Sequence, residues 1–305
     1  MGATMDSGED MMKICLRRSA LYVPGDSEKM LQKSAATPSD ILLLNLEDGV
    51  ASSQKTSARA KVVSALQNIH FGDCETVVRI NPLECEIGQA DLAAVVPRRP
   101  DGICLPKVES AEEIRVADDA IRKIEAADGL PPGGIRLHAM IESALGILHA
   151  AEIASASPRM ASLIFGSADY AADVHCRPGE DRLEILLALQ MIVAAARSAG
   201  IDAIDAPCFD IHNRDLLARE SGQARRIGFT GKSALHPDQL AAINRSFDVT
   251  PEEIAWAERI IAELNEADRR GKALSTIDGN LIDNPHRAAA ERILRQKNRA
   301  DRSAR

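Results

Sequence analysis

Acidic and basic side chains recur just past short apolar runs in this sequence of 305 residues. Glu142 follows the run ending at Ile141, Asp169 follows Phe165 after Gly166-Ser167-Ala168, and Arg79 lies near the end of Thr76–Ile80. If those runs are strands on adjacent staves, Glu142 and Asp169 converge with room for water and a chelating ligand, as a Mg²⁺ ion requires. The same pair is open to general acid–base work, or to ion pairing with Arg79 and Lys107. Arg79, flanked by Asn81-Pro82, suits bidentate recognition of a carboxylate or of a developing enolate oxygen, or else balances the neighbouring acids.

Other chemistries lack their residues. The seven histidines form no H-x-x-x-H or H-E-x-x-H spacing, and no G-x-S-x-G elbow gives Ser167 a base. His236, before Pro237, reads as a turn-forming histidine that can also touch a ligand. Six cysteines without a C-x-x-C pair point to reduced thiols in a cytoplasmic protein. A formal charge of -8 and 3% aromatic residues argue against nucleic acid as a partner. No apolar run has membrane-spanning length, and the acidic start is unlike a signal peptide.

The elements that must position these side chains follow from periodicity. Eight strand candidates, Ala20–Val23, Ile41–Leu44, Thr76–Ile80, Gly102–Leu105, Leu137–Ile141, Ser162–Phe165, Ala203–Ile204 and Gly228–Ala234, alternate with helical segments. Ser110, three residues before Glu113, predicts a helix start, and Gly200 predicts the stop of a helix from Arg182 to Ala199. Eight βα units without a G-x-G-x-x-G turn predict an α/β fold, a (β/α)₈ TIM barrel with a C-terminal helical extension. The expected layout is a frayed leader over 1–17, a barrel over 18–250 and an extension over 251–305. Thr250-Pro251-Glu252-Glu253 predicts a helix to about Arg270, Asp278-Gly279 a small hairpin or loop, and His286 to Lys297 a last helix. Such a tail is too short for an independent core and is expected to pack on its own or a neighbouring barrel.

The strand ends also carry a family pattern. Arg17-Arg18-Ser19-Ala20-Leu21-Tyr22-Val23-Pro24-Gly25, Leu46-Glu47-Asp48-Gly49-Val50, Val78-Arg79-Ile80-Asn81-Pro82, Leu105-Pro106-Lys107-Val108-Glu109, Ile141-Glu142-Ser143-Ala144, Phe165-Gly166-Ser167-Ala168-Asp169-Tyr170, Gly231-Lys232-Ser233-Ala234-Leu235-His236-Pro237 and Leu281-Ile282-Asp283 follow in order. Together they resemble the citrate lyase beta-subunit-like group of the HpcH/HpaI aldolase superfamily, from about Arg17 to His286. The resemblance implies Mg²⁺-dependent cleavage of short 3-hydroxyacyl thioesters of coenzyme A, and a homotrimer or hexamer. It assigns Glu142 and Asp169 to the metal and Arg79 to the substrate carboxylate and thioester oxygen. Tyr22 and Lys29 become coenzyme A contacts, with Lys33 and Arg18 as further candidates for a basic rim. Asp283 becomes the acid that a neighbouring tail lays over the site. Where the family usually has Asp, this chain has Asn45, which is expected to tune the metal's surroundings.

Physically, such a site performs a retro-Claisen cleavage. The metal lowers the pKa of the substrate hydroxyl, the C–C bond breaks, and the enolate of acetyl-CoA needs a cation, Arg79, and a proton, from Asp283 or a water it holds. The favoured substrate is (S)-citramalyl-CoA, giving acetyl-CoA and pyruvate, with L-malyl-CoA second. Hydrolysis of malyl-CoA as a thioesterase, a citrate lyase beta subunit acting on a citryl thioester, and a non-catalytic binding or scaffold barrel are the alternatives.

Overall fold

The computed structural model describes residues 16–303. Most of the expected leader over 1–17, with Cys15, lies outside the described residues. The chain divides into two compact units, Arg17–Phe247 and a second that begins at Asp248.

In the first unit eight parallel strands close into a barrel, β1 (Ser19–Pro24), β2 (Ile41–Asn45), β3 (Glu75–Arg79), β4 (Gly102–Leu105), β5 (Arg136–Ile141), β6 (Met160–Phe165), β7 (Asp202–Asp205) and β8 (Gly231–Ala234), with β8 paired to β1. Each pairs with its sequence neighbour, so helices cross outside, and both strand faces are buried. Ile41, Leu42, Leu43 and Leu44 of β2 are all fully buried. That is why the strands read as short unbroken apolar runs instead of alternating ones.

Period-2 alternation nonetheless sorts the side chains. Ala20, Ile41, Leu43, Val77, Cys104, Met140, Ile164 and Ile204 fill the barrel's interior, whereas Leu21, Leu42, Leu44, Val78 and their like join the larger core beneath the helices. Two residues beyond the interior set, the same parity delivers Asn45 after Leu43, Arg79 after Val77 and Glu142 after Met140. At the opposite end an ionic floor closes the barrel: Arg17 binds Glu75 at 2.6 and 2.8 Å and Asp202 at 2.9 Å, and His138 Nδ1 meets Ser162 Oγ at 2.8 Å.

The helix starts and stops follow local chemistry. Ser110 Oγ accepts the Glu113 amide at the head of the helix Ala111–Ala127. Gly200, at φ +71°, follows the helix Leu186–Ser198. The eighth strand starts three residues later than expected because Gly228, at φ +115°, caps the helix Arg214–Ile227 and so belongs to the helix end.

The second unit contains the helix Pro251–Arg269, started by the Thr250–Glu253 capping box, and the helix Asn284–Ser303. Between them lies the antiparallel hairpin β9 (Ser275–Ile277) and β10 (Asn280–Ile282). Asp278 and Gly279 at φ +51° and +80° make its tight turn. Ala257, Ile260, Leu264, Ile282 and Ala290 form a small apolar cluster within this unit. The last helix begins earlier than the expected His286, since Pro285 fits a first turn whose amide needs no partner. No helix among the described residues is long and apolar enough to cross a membrane.

Candidate active site

Residues from the C-terminal ends of the strands line one cavity of about 700 Å³ in the barrel unit. Tyr22, Asn45, Arg79, Met140, Glu142 and Asp169 form its inner part, and Lys29, Met30 and Lys33 from the helix Glu28–Ser34 form an outer wall.

Arg79 is 7% exposed and held on every side. Its Nε donates to Asn45 Oδ1 at 2.8 Å, Nη1 approaches Met140 Sδ at 3.3 Å, and Nη2 donates to the Asp48 carbonyl at 3.1 Å and pairs with Glu47 Oε2 at 3.0 Å. The guanidinium lies over the Tyr22 ring, 5.2 Å from its centroid. Asn45 also accepts the Glu47 amide through Oδ1 and donates through Nδ2 to the Asp48 carbonyl, so one amide side chain fixes the turn and the arginine together. The result is a rigid positive charge with little water around it, suited to an oxyanion.

Glu142 is the opposite case. Only 4% exposed, it receives the Lys107 amide on Oε1 at 2.8 Å. Burial pushes its carboxyl up to about 7; the Lys107 amide lowers it, and Asp169 opposes that by repulsion. A Cβ at Gly166 would collide with the Glu142 carboxylate, so the glycine makes room for it. Burial also pushes Glu47 up, with Arg79 opposing. Asp169, on the helix Ser167–Asp173, is 45% exposed and lies 3.6 Å from Lys107 Nζ.

A divalent cation fits these groups. Four carboxylates, Glu47, Asp48, Glu142 and Asp169, face two cations, Arg79 and Lys107. With all four ionised the cluster is therefore two positive charges short, and the raised Glu142 carboxyl favours taking up a proton that makes good one of them. Glu142 and Asp169 stand past the ends of the adjacent strands β5 and β6. No group of three or more His, Cys, Asp or Glu among the described residues forms a metal cage. A cation here would complete its shell with water and ligand oxygens, as Mg²⁺ does more readily than Zn²⁺ or Ca²⁺.

Of the residues singled out in the sequence, Tyr22, Arg79, Glu142 and Asp169 meet in this cavity, and Lys29 and Lys33 line the same cavity. Arg18 requires correction as a coenzyme A contact. It precedes β1, at the barrel end opposite the cavity, where its Nε and Nη2 bind Asp40 at 2.8 and 2.9 Å. A charge before a parallel strand is carried to the wrong end. Asp283 belongs to the second unit, with Oδ1 2.7 Å from His286 Nδ1. His236 caps the turn Pro237–Gln239 through Nδ1 and also borders the cavity. Sequence reasoning left Lys107 as an ion-pair partner and gave Glu47 no role. Their signal was the position of both just past strand ends.

A family model for the HpcH/HpaI aldolase/citrate lyase matches residues 18–237, and one for a C–C bond lyase of the TIM-barrel fold matches residues 185–299. The chain is 38% identical to the citrate lyase subunit beta of Haemophilus influenzae, covering 92% of this chain and 96% of that one. It is 35% identical to the mitochondrial citramalyl-CoA lyase of Rattus norvegicus, over 91% of this chain and 85% of that one. Among solved structures, CitE from Mycobacterium tuberculosis in complex with magnesium, acetoacetate and coenzyme A is similar at a TM-score of 0.75 and 27% identity, over 94% of this chain and 100% of that one.

Proposed function

The chain belongs to the HpcH/HpaI aldolase/citrate lyase family, and from that premise we propose that it is a Mg²⁺-dependent carbon–carbon lyase of a 3-hydroxyacyl-CoA, cleaving (S)-citramalyl-CoA to acetyl-CoA and pyruvate. The observation that carries this reading is one cavity joining a pinned Arg79 to a carboxylate cluster two positive charges short. Glu142 and Asp169 hold the metal. Held there, Mg²⁺ would supply a Lewis acid that lowers the pKa of the substrate hydroxyl.

The protein's own groups supply the rest. The hydroxyl passes its proton to a water in the site, the C–C bond breaks to give the 2-oxo acid, and the electron pair becomes the enolate of acetyl-CoA. Arg79 faces that oxyanion with a guanidinium whose position is fixed before the reaction, so little reorganisation is needed. Asp283, from the tail of a neighbouring subunit in a homotrimer or hexamer, delivers the proton that completes the acetyl methyl group. Lys29 and Lys33 on the outer wall favour a phosphate-bearing carrier such as coenzyme A. Tyr22, which lines the same cavity beneath the Arg79 guanidinium, is a contact for the coenzyme A end of the substrate. The citramalyl methyl is worth only about 1–3 kcal/mol to a pocket, so L-malyl-CoA is the second substrate.

Incubation with Mg²⁺ and synthetic citramalyl-CoA, malyl-CoA and citryl-CoA, following 2-oxo acids and free thiol, tests the reading. Pyruvate with acetyl-CoA is expected to appear fastest. Free thiol without a 2-oxo acid would make the protein a thioesterase, oxaloacetate from citryl-CoA alone would make it a citryl lyase, and no turnover would leave a binding barrel. In the same assay, mixed oligomers of Asp283→Ala and Glu142→Ala chains should regain activity that neither has alone. Absence of rescue would place Asp283 outside a shared site.

A further inference from the structure

Lys107 takes no part in the cleavage as written, yet it touches both proposed metal ligands. Its amide donates to Glu142 Oε1 at 2.8 Å, while its Nζ lies 3.6 Å from Asp169 Oδ1. The backbone is left-handed at φ +51°, a conformation an ordinary side chain adopts only when its surroundings impose it. That turn aims the amide at one ligand and the stem at the other. The ammonium also stands 3.9 Å from Glu47 Oε1 and 3.8 Å from Asp48 Oδ2.

Resting on the assignment of the metal to Glu142 and Asp169, we infer that Lys107 is a resident counter-cation that divalent metal must displace from Asp169, and that it thereby sets the affinity and valence selectivity of the site. Lys107 is the mobile cation of the pair. Its side chain is 48% exposed on a flexible stem, whereas Arg79 is 8% exposed and pinned by Asn45, Glu47 and Asp48. Leaving Asp169 costs the ammonium little, because Glu47 and Asp48 remain within its reach. At Asp169 itself a monovalent ion would only match the attraction that the ammonium already supplies. A divalent ion adds the positive charge that the cluster lacks, so the lysine filters by valence.

Direct titration of the metal-free full-length protein with Mn²⁺, followed by electron paramagnetic resonance at pH 8, tests this without reference to turnover. Lys107→Met should bind Mn²⁺ on the order of tenfold more tightly than wild type, as expected for removing one partly exposed charge beside a divalent ion. Lys107→Arg should stay near wild type. Potassium should compete with Mn²⁺ in Lys107→Met and not in wild type. If Lys107→Met melts early, Lys107→Gln carries the same expectation. Equal or weaker Mn²⁺ binding in the folded neutral variants would overturn the inference while leaving the metal site in place. Failure of wild type itself to bind Mn²⁺ would remove the metal reading, and this inference with it.

Discussion

Two charge clusters in the barrel unit solve burial in opposite ways, one in the cavity at the strand ends and the other between the barrel wall and the helix Arg214–Ile227. On the β7–β8 side, Lys232 and Asp205 are both fully buried: Lys232 Nζ lies 2.8 Å from Asp205 Oδ2, 2.7 Å from the Ala206 carbonyl and 2.9 Å from Glu220 Oε2. Arg182 grips Asp205 with two bonds of 3.0 and 2.5 Å. Two cations meet two carboxylates, and burial, which alone would raise the Asp205 carboxyl, is overcome by Lys232 and Arg182, which hold it below the usual range. On the β2–β6 side, four carboxylates share Arg79 and Lys107, and the Glu142 carboxyl is driven up to about 7. A closed account of charge marks a brace; an open one marks a place for a ligand. The brace still serves the site, since it fixes the strand ends that lead into Pro207 and Phe209 on the cavity wall.

The largest expected effect comes from opening the closed cluster. Asp205→Ala leaves Lys232 and Arg182 buried with one carboxylate between them, and breaking a buried pair in this way costs about 3–5 kcal/mol. Urea denaturation should show that loss. A loss below about 1 kcal/mol would mean that water or Glu220 neutralises both cations and that the cluster is not a brace.

The clusters should also respond to pH with opposite signs. Glu142 titrates near 7 in the folded chain against an ordinary 4.5, so the folded state binds the extra proton. Its contribution favours folding below pH 4.5 and is lost as pH rises from 4.5 through 7, an effect of up to about 3 kcal/mol in the metal-free protein. Asp205, held low, contributes stability above the ordinary value of 3.8 and loses it only as pH falls through its depressed value. With chelator present, Glu142→Gln should flatten the fall in stability between pH 4.5 and 7. Mg²⁺ should flatten it in wild type by taking the proton's place. An unchanged slope in Glu142→Gln would assign that window to another group.

The open cluster was only partly legible in the sequence. Strands such as Ile41–Leu44 declare themselves because burial on both faces leaves an unbroken apolar run, and the acids past their ends then fall on one rim. The capping box at Thr250 and the Asp278-Gly279 turn were equally plain, since backbone chemistry is local. Arg18 lies before its strand, an order that in a parallel barrel already places it at the end opposite the cavity, so its charge was a misleading signal. Lys107 was undervalued because nothing in its side chain requires the left-handed backbone that joins it to Glu142; the requirement comes from β5. The brace was invisible for a similar reason, as Arg182, Asp205, Glu220 and Lys232 are far apart in sequence and meet only when the barrel closes.

Asn45 gives the finest adjustment of the open cluster. The Oδ1 atom that accepts from Arg79 Nε at 2.8 Å would become a charged oxygen in Asn45→Asp, while the donor that Nδ2 offers to the Asp48 carbonyl would be lost. Arg79 would then face two buried carboxylates, its own Glu47 and the new one, and would present less net charge to an anionic substrate. A substrate carboxylate and the enolate meet the same guanidinium, so ground state and transition state should weaken nearly alike. The expected result is a rise of a few-fold in KM, about 1 kcal/mol or less, with kcat within about twofold. Steady-state kinetics on citramalyl-CoA measures it. A fall in kcat of a hundredfold at unchanged KM would mean that the neutrality of Asn45 matters to the oxyanion itself, and the amide would then belong with Arg79 among the groups that meet the transition state.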